Sequence, residues 1–292
     1  MRWEGQEQSS NVEDRRSGGG GGGGFGLGGR SIGIGTIVIA LLGGWFFGIN
    51  PLTIIGMLSG GGSPVVQQQA GPAQAPPSDD KEAVFVSTVL RSTEDAWGQV
   101  FRANNAQYQP PRLVLFRGAT PTACGTGQSA MGPFYCPGDQ KVYLDMDFFD
   151  TLSRQLGAPG DFARAYVVAH EVGHHVQNLM GLTDKVDSMR GRASQAQQNA
   201  LSVRLELQAD CFAGIWANKS QQAKNWLDQG DIESAMNAAA KIGDDALQKK
   251  SQGYAVPDSF THGSSAQRQR WFMQGLKTGS VQACDTFNAQ SL

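Results

Sequence analysis

The residues of this chain that are best suited to chemistry are two histidines four positions apart, with a glutamate next to the first. His170, Glu171 and His174 form the pattern H-E-x-x-H, and residues 161–169 before them contain no proline or glycine and predict a helix. Because residues four apart lie on one face of a helix, the two imidazoles could bind a single Zn²⁺. Glu171 would then lie where a carboxylate can take a proton from zinc-bound water. The pattern indicates zinc-assisted hydrolysis of a peptide bond; the alternative is a helix with two ordinary surface histidines.

A catalytic zinc site needs a third protein ligand, and the best candidate lies on a second predicted helix. Residues 201–216 are apolar with helical periodicity, and Glu206 and Asp210 share one face among Leu, Ala and Phe side chains. A carboxylate without a role would be costly to bury there. We predict Glu206 as the third ligand, with Asp210 accepting the free N–H of a ligating histidine. The alternative is that both are solvated charges, paired with Arg204 and Lys219.

Other zinc patterns fit this sequence less well. A metzincin has Gly and His where this chain has Gln177 and Met180. His175 is five residues from His170 and points about 140° away around the helix, so it is a poor ligand candidate. Closely paired cysteines, which a structural zinc site requires, are absent from the sequence.

His262, the fourth histidine of the chain, lies in a predicted loop before a helix. Ser264 and Gln267 have the spacing of a capping box, which predicts that this helix begins at about residue 265. A histidine at this place could stabilise the oxyanion that forms when water attacks a carbonyl. The alternative is a histidine that ties down its own loop, and Tyr254 is a weaker candidate for the same catalytic role.

Several stretches together resemble the bacterial neutral zinc metallopeptidases, which are membrane-anchored proteins of the zincin type. The matching stretches are residues 132–137, 141–145, 170–177, 206–211 and 259–264, and they cover most of the chain from about residue 80. The resemblance implies a zinc-dependent peptidase acting on a peptide or protein substrate. It implies that His170, His174 and Glu206 are ligands and Glu171 is the catalytic residue.

Two other functions stay open at this point. The family is largely named from its motif, so the resemblance supports the zinc site better than any substrate. The chain could be a zincin-fold binding or assembly factor of the cell envelope that has lost peptidase activity. It could also be an envelope scaffold without zinc, if the motif is accidental.

The N-terminal part of the chain predicts a membrane anchor. Residues 1–30 are mostly polar or glycine and are expected to be flexible, whereas residues 32–49 are apolar or glycine apart from one threonine. We therefore predict a flexible segment over 1–30, a transmembrane helix over 31–58, a Pro/Gln/Gly-rich linker over 59–80 and a metallopeptidase-like domain over 81–292. A cleaved signal peptide is the main alternative, but the polar segment before the apolar run is long for one.

The distribution of basic residues predicts the orientation of that anchor. The basic residues before the span are Arg2, Arg15, Arg16 and Arg30, and the next is Lys81. The positive-inside rule then places the N-terminus in the cytoplasm and the domain in the periplasm, on a single pass through the bacterial inner membrane. The formal net charge of −2 offers no basic field, so a nucleic-acid partner is not expected.

All four cysteines follow the predicted span, which is consistent with an oxidising compartment. Cys124 and Cys136 enclose a short glycine-containing loop and would form a local disulfide, which leaves Cys211 and Cys284 as the second pair. That second bridge would join the Glu206 helix to the C-terminal tail. Four free thiols are the alternative, expected if the domain were cytoplasmic.

The pattern of elements predicts a helix-dominated α+β domain with a small sheet. Helices are expected near residues 84–104, 146–156, 161–180, 195–220, 231–249 and 265–277, and strands at 113–116 and 142–144. We expect the strand at 142–144 to lie at a sheet edge beside the H-E-x-x-H helix. An extended peptide could pair with it there.

Overall fold

The computed structural model describes residues 1–16, 74–128, 132–191 and 193–292. The glycine run, the predicted transmembrane segment 31–58 and most of the predicted linker lie outside these ranges. None of the described helices is long and apolar enough to cross a membrane. The described residues belong to one compact unit.

Helices dominate the described residues, as the sequence predicts. They are α1 (Lys81–Ala103), α2 (Asp147–Asp150), α3 (Asp161–Leu179), α4 (Leu182–Arg190), α5 (Gln195–Lys224), α6 (Asp231–Lys241), α7 (Asp244–Gln252) and α8 (Ser265–Thr278). A π-helical turn, Thr151–Gln155, follows α2, and short 3₁₀ helices lie at Pro257–Ser259 and Val281–Cys284. Together with small sheets, these helices confirm the predicted α+β class.

The prediction of a single helix over residues 231–249 is wrong, because this range contains two helices that are separated at Gly243. A side chain at this glycine would lie within 2.5 Å of the Ser265 nitrogen, at the start of α8. The close approach of two backbones therefore ends α6 at Lys241. The break also lets Asp244 begin α7 and face the loop before α8.

Six short strands form two small sheets among the described residues. They are β1 (Val12–Asp14), β2 (Arg112–Phe116), β3 (Ala119–Thr122), β4 (Gly125–Gln128), β5 (Phe134–Cys136) and β6 (Lys141–Asp145). The larger sheet has the order β1-β2-β6-β5, and only the β5–β6 pair is antiparallel. The hairpin β3–β4 is separate.

The prediction that the strand at 142–144 lies at a sheet edge is wrong. It belongs to β6, which has β2 on one side and β5 on the other. Tyr143 and Leu144 are 1% exposed. The residues of this strand are apolar because the strand is buried within the sheet. The strand at the edge next to β6 is β5.

The prediction that the first thirty residues are flexible is wrong for residues 1–16. Val12–Asp14 forms β1, which pairs in parallel with β2, and the Glu13 carboxylate lies 2.9 Å from the Lys141 ammonium on β6. Farther upstream, the Trp3 ring packs on Phe85 of α1, and its Nε1–H donates to Asp161 at the start of α3. Residues of α1, α3, β2 and β6 therefore pack against the N-terminal segment 1–16.

The two helices that carry the candidate ligands approach closely at a glycine. A Cβ atom on Gly173, within the H-E-x-x-H segment of α3, would lie 3.0 Å from the Ala209 carbonyl oxygen of α5. That spacing is tighter than ordinary van der Waals contact, so a larger residue would push the helices apart. Gly173 thus allows the Glu206 turn of α5 to reach the two histidines.

A second close contact joins α5 to α8. A Cβ atom on Gly275 would lie only 1.8 Å from the Cys211 carbonyl oxygen, and one on Gly214 would lie 2.1 Å from the Phe272 carbonyl oxygen. These two backbones therefore touch, which brings side chains of α8 to the buried face of α5. The structure also contains the disulfides Cys124–Cys136 and Cys211–Cys284, and the second joins α5 to the C-terminal segment.

Candidate metal centre

The structure brings His170, His174 and Glu206 together between α3 and α5. The Nε2 atoms of the two histidines are 3.2 Å apart. The Glu206 carboxylate oxygens lie 3.1 Å from Nε2 of His170 and 3.4 Å from Nε2 of His174. Among the described residues, these three form the only group of His, Cys, Asp and Glu side chains arranged to hold a metal ion.

The spacing of these donor atoms fits a tetrahedral zinc ion. Zinc binds nitrogen and oxygen ligands at roughly 2.0–2.2 Å, and two corners of such a tetrahedron are about 3.3 Å apart. The observed separations of 3.1, 3.2 and 3.4 Å lie close to that value, with the two distances to Glu206 measured from its two different carboxylate oxygens. Two imidazoles and one carboxylate also leave a fourth corner open, as in catalytic zinc sites.

The charges around this group favour a divalent cation. When both imidazoles are neutral and Glu171, Glu206 and Asp210 are all ionised, three carboxylates face one guanidinium (Arg268), which leaves two net negative charges. Glu171, Asp210 and Arg268 are buried, so water screens these charges weakly. One divalent ion would neutralise the cluster.

The pKa shifts at the site have the same origin. Burial alone would lower the pKa of His170, but the charge of Asp210 and hydrogen bonds to Asp210 and Glu206 raise it to about 10. Burial would likewise raise the pKa of Glu206, but the charges of His174 and His262 hold it well below its usual range. Surroundings that stabilise a protonated imidazole also stabilise a metal cation. Binding of the metal displaces the extra proton from each imidazole.

Glu171 lies on α3 beside the two histidines and is 7% exposed. Burial raises the pKa of its carboxyl group, against the opposing charges of His170 and His174. A carboxyl group with a raised pKa is better matched to accept and later release a proton near neutral pH. The structure therefore places Glu171 in surroundings that suit a general base.

Asp210 is fully buried, and its carboxylate is hydrogen-bonded to the ring nitrogen of His170 that faces away from Glu206. The distance from His170 Nδ1 to Asp210 Oδ1 is 2.8 Å. Arg268 of α8 donates to both oxygens of the same carboxylate, at 2.9 Å each, and the Tyr166 hydroxyl donates to Oδ1. Asp210 can only accept from His170 in this arrangement, so the Nε2 lone pair of His170 is left for a metal.

Arg268 and Tyr166 were not among the candidates predicted from the sequence. The Arg268–Asp210 pair is separated by 58 residues, and neither residue belongs to a recognisable motif. The capping box at Ser264 and Gln267 does start α8 at Ser265, as predicted, and it places Arg268 in the first turn of that helix. No local pattern, however, shows which neighbouring helix that turn will face.

His262 lies in the loop before α8, and a buried aspartate holds it. Asp244 Oδ2 accepts the backbone N–H groups of Thr261, His262 and Gly263 at 2.6–2.9 Å, and its Oδ1 lies 3.2 Å from His262 Nδ1. The pKa of His262 is raised: burial would lower it, but the charge of Glu206 and the hydrogen bond to Asp244 outweigh that effect. Asp244 thus ties down the loop, and His262 lies within the electrostatic reach of Glu206.

His175 and Tyr254 have surroundings that differ from those of the metal-binding group. His175 is 1% exposed and bonds to the Gln109 carbonyl oxygen and the Tyr135 hydroxyl, which is the arrangement of a structural histidine. Tyr254 is 63% exposed on the loop after α7. Its backbone carbonyl accepts a hydrogen bond from Gln252.

The comparisons with known proteins agree with this geometry. A family model described as "Putative neutral zinc metallopeptidase" matches residues 1–287, which include the N-terminal strand β1. The chain is 50% identical over 291 residues to the uncharacterized protein YpfJ of Escherichia coli, covering 98% of this chain and 99% of that protein. It is 44% identical over 220 residues to an uncharacterized protein of Mycobacterium tuberculosis, covering 71% of this chain and 73% of that protein. No solved structure matches the chain.

Proposed function

Because this chain belongs to the neutral zinc metallopeptidase family, we propose that it hydrolyses peptide bonds with one zinc ion held by His170, His174 and Glu206. The observation that carries the proposal is the convergence of two Nε2 atoms and one carboxylate, 3.1–3.4 Å apart, from two different helices. A chance pair of surface histidines would not be packed against a buried aspartate and a buried arginine. The ligand set and the open fourth corner are those of a catalytic zinc site.

Glu171 is the proposed general base and general acid. A bound zinc ion would supply an acidified water molecule and polarise the carbonyl of the scissile bond. Glu171 accepts the proton of the attacking water on a carboxylate oxygen and delivers it to the nitrogen of the leaving amine. Its burial supports this role, because burial raises the pKa of the carboxyl group and so favours uptake of a proton.

His262 is proposed to stabilise the oxyanion of the attacked carbonyl through Nε2–H. Its Nδ1 is engaged by Asp244 and by the Thr261 hydroxyl, so the other ring nitrogen is the one available to a substrate. A donor placed at a developing oxyanion typically contributes about 100- to 1,000-fold in rate. We expect His262→Ala to lower kcat by about 100-fold while zinc content stays unchanged, measured by steady-state hydrolysis and metal analysis. An unchanged kcat would exclude His262 from stabilising the oxyanion.

The substrate class that suits this site is an extended peptide. The sheet edge nearest to α3 is β5, whose Tyr135 hydroxyl contacts both His175 and Asn178 of that helix. A peptide paired with this edge would gain backbone hydrogen bonds that do not depend on its side chains. We therefore propose β5, in place of the strand expected from the sequence, as the strand that positions the substrate.

The domain is proposed to act outside the cytoplasm of a bacterial cell. Its two disulfides, which pair all four cysteines, support an oxidising compartment. Strand β1 belongs to the same sheet as the rest of the domain, so when the sheet is formed residues 1–16 lie on the same side of a membrane as residues 74–292. A cytoplasmic N-terminus on a single-pass anchor does not agree with this pairing.

Thiol labelling of intact spheroplasts tests this arrangement. Because the native cysteines are all paired, Ser10→Cys would introduce a single reactive thiol on an exposed residue of the N-terminal segment. We expect a membrane-impermeant reagent to label it without lysis. Labelling only after lysis would place the N-terminus in the cytoplasm.

The proposed activity itself is tested with the purified full-length chain. We expect about one zinc ion per chain and cleavage of a denatured, fluorescently labelled protein, with activity lost after chelation and restored by zinc. Zinc binding without any cleavage would favour the alternative of an inactive zincin-fold binding or assembly factor. A chain that binds no zinc would exclude both.

A further inference from the structure

A buried glutamine on α3 contacts one of the proposed ligands and has no part in the mechanism above. Gln177 is 1% exposed, and its Oε1 lies 2.9 Å from His174 Nδ1. His174 therefore has an amide oxygen in the place where His170 has the Asp210 carboxylate. An amide is uncharged and can present either a donor or an acceptor, so something must fix which end faces the histidine.

Two hydrogen bonds on the other end of the amide fix its orientation. Gln177 Nε2 donates to the Leu205 carbonyl oxygen at 2.8 Å and to Gln208 Oε1 at 3.0 Å. A backbone carbonyl can only accept, so the amide nitrogen must face it and the oxygen must face His174. Reversing the amide would place its oxygen against the Leu205 carbonyl oxygen and Gln208 Oε1 and lose both hydrogen bonds.

Gln208 is fixed in the same way, one step farther from the site. Its Nε2 donates to the Cys284 carbonyl oxygen at 3.0 Å, which leaves its Oε1 to accept from Gln177. Gln208 is 6% exposed, so water does not compete freely for these bonds. Cys284 is itself joined to α5 by the disulfide with Cys211.

We propose that Gln177 and Gln208 form a relay that fixes the tautomer of His174. The chain of bonds from the Cys284 carbonyl obliges His174 to carry its proton on Nδ1, which leaves the Nε2 lone pair for the metal. Gln177 and Gln208 are thus positioning residues for a ligand, and the inference rests on the proposed zinc site. It also gives the C-terminal segment a role at the metal centre through a backbone carbonyl.

A purely structural role for these glutamines would give different results. The same bonds join α3 to α5, so their loss would lower folding stability in either case. Only the relay predicts that zinc affinity changes separately from stability. Outer-sphere partners of metal-bound histidines typically contribute about 10- to 100-fold in metal affinity.

The test measures the zinc dissociation constant of the full-length protein by competition with a chelator, together with its thermal unfolding. We expect Gln177→Leu to weaken zinc binding by about 10- to 100-fold. Gln177→Glu keeps an acceptor for His174 but places its second oxygen against the Leu205 carbonyl. It is therefore expected to bind zinc within about threefold of wild type while unfolding at a lower temperature.

Asn178→Leu is the matched control. Asn178 is the next amide on α3, and its Nδ2 donates to the Tyr135 hydroxyl instead of a ligand. Its loss should leave zinc affinity within about twofold of wild type, because no metal-bound histidine is released. If Gln177→Leu does not fold, Gln208→Met removes one of the two acceptors that hold the Gln177 amide, without touching His174, and should weaken zinc binding severalfold.

The outcomes separate the relay from the zinc site. A wild-type chain that binds no zinc overturns the proposed function and the relay together. A wild-type chain that binds zinc, with a folded Gln177→Leu or Gln208→Met variant that binds it equally well, overturns the relay alone. Equal losses of affinity in Gln177→Leu and Asn178→Leu would also contradict it, since a general loosening of α3 would then explain both.

Discussion

Replacing Glu171 by Gln is expected to lower peptide hydrolysis by about 1,000-fold or more and to leave about one zinc ion per chain. The amide has nearly the shape of the carboxyl group but cannot accept the proton of the attacking water, and general acid–base groups contribute roughly 100- to 10,000-fold. Glu171 is not among the three converging donors, so zinc should remain bound. Burial already disfavours the ionised form of this residue, so the variant should fold normally.

The measurement is kcat/KM on a denatured protein substrate, with zinc content determined on the same preparation. Glu233→Gln, the same change at an exposed position of α6, is the matched control and should behave as wild type. Full activity in the Glu171 variant would remove this residue from the mechanism. Loss of zinc together with activity would instead assign Glu171 a part in holding the metal.

Replacing Glu206 by Gln is expected to have the largest effect on zinc itself. This change removes the only anionic donor of the three and leaves the cluster with one net negative charge fewer. Because partners outside the ligand set already contribute about 10- to 100-fold, loss of a direct ligand should weaken zinc binding by more than about 100-fold. Hydrolysis should fall with zinc occupancy.

Zinc affinity by chelator competition and zinc content after dialysis measure this second effect. Glu233→Gln serves again as the control for the loss of one carboxylate. The two variants then form a pair: Glu171→Gln separates catalysis from metal binding, whereas Glu206→Gln removes both. If the Glu206 variant kept one tightly bound zinc ion, the third ligand would have to be another side chain.

The arrangement within single helices follows directly from the amino-acid order. His170 and His174 share a face because four residues are close to one helical turn, and no tertiary contact is needed to predict it. The same holds for the start of α8 at Ser265, where Ser264 and Gln267 cap the helix with their own side chains. The family and the helix-dominated α+β class are confirmed for the same reason, since each depends on local pattern.

Contacts between distant segments depend on how the helices and strands pack. The parallel pairing of β1 with β2 joins residues about a hundred positions apart, and polar, charged residues around Val12 hide its strand pattern. Arg268 meets Asp210, and Asp244 meets His262, because glycines at 214, 243 and 275 let backbones touch. A polar side chain looks the same in sequence whether it is exposed to water or buried against a partner. Only the packing of α3, α5 and α8 decides that these residues, with Gln177 and Gln208, lie beside the histidines and the loop of the proposed metal site.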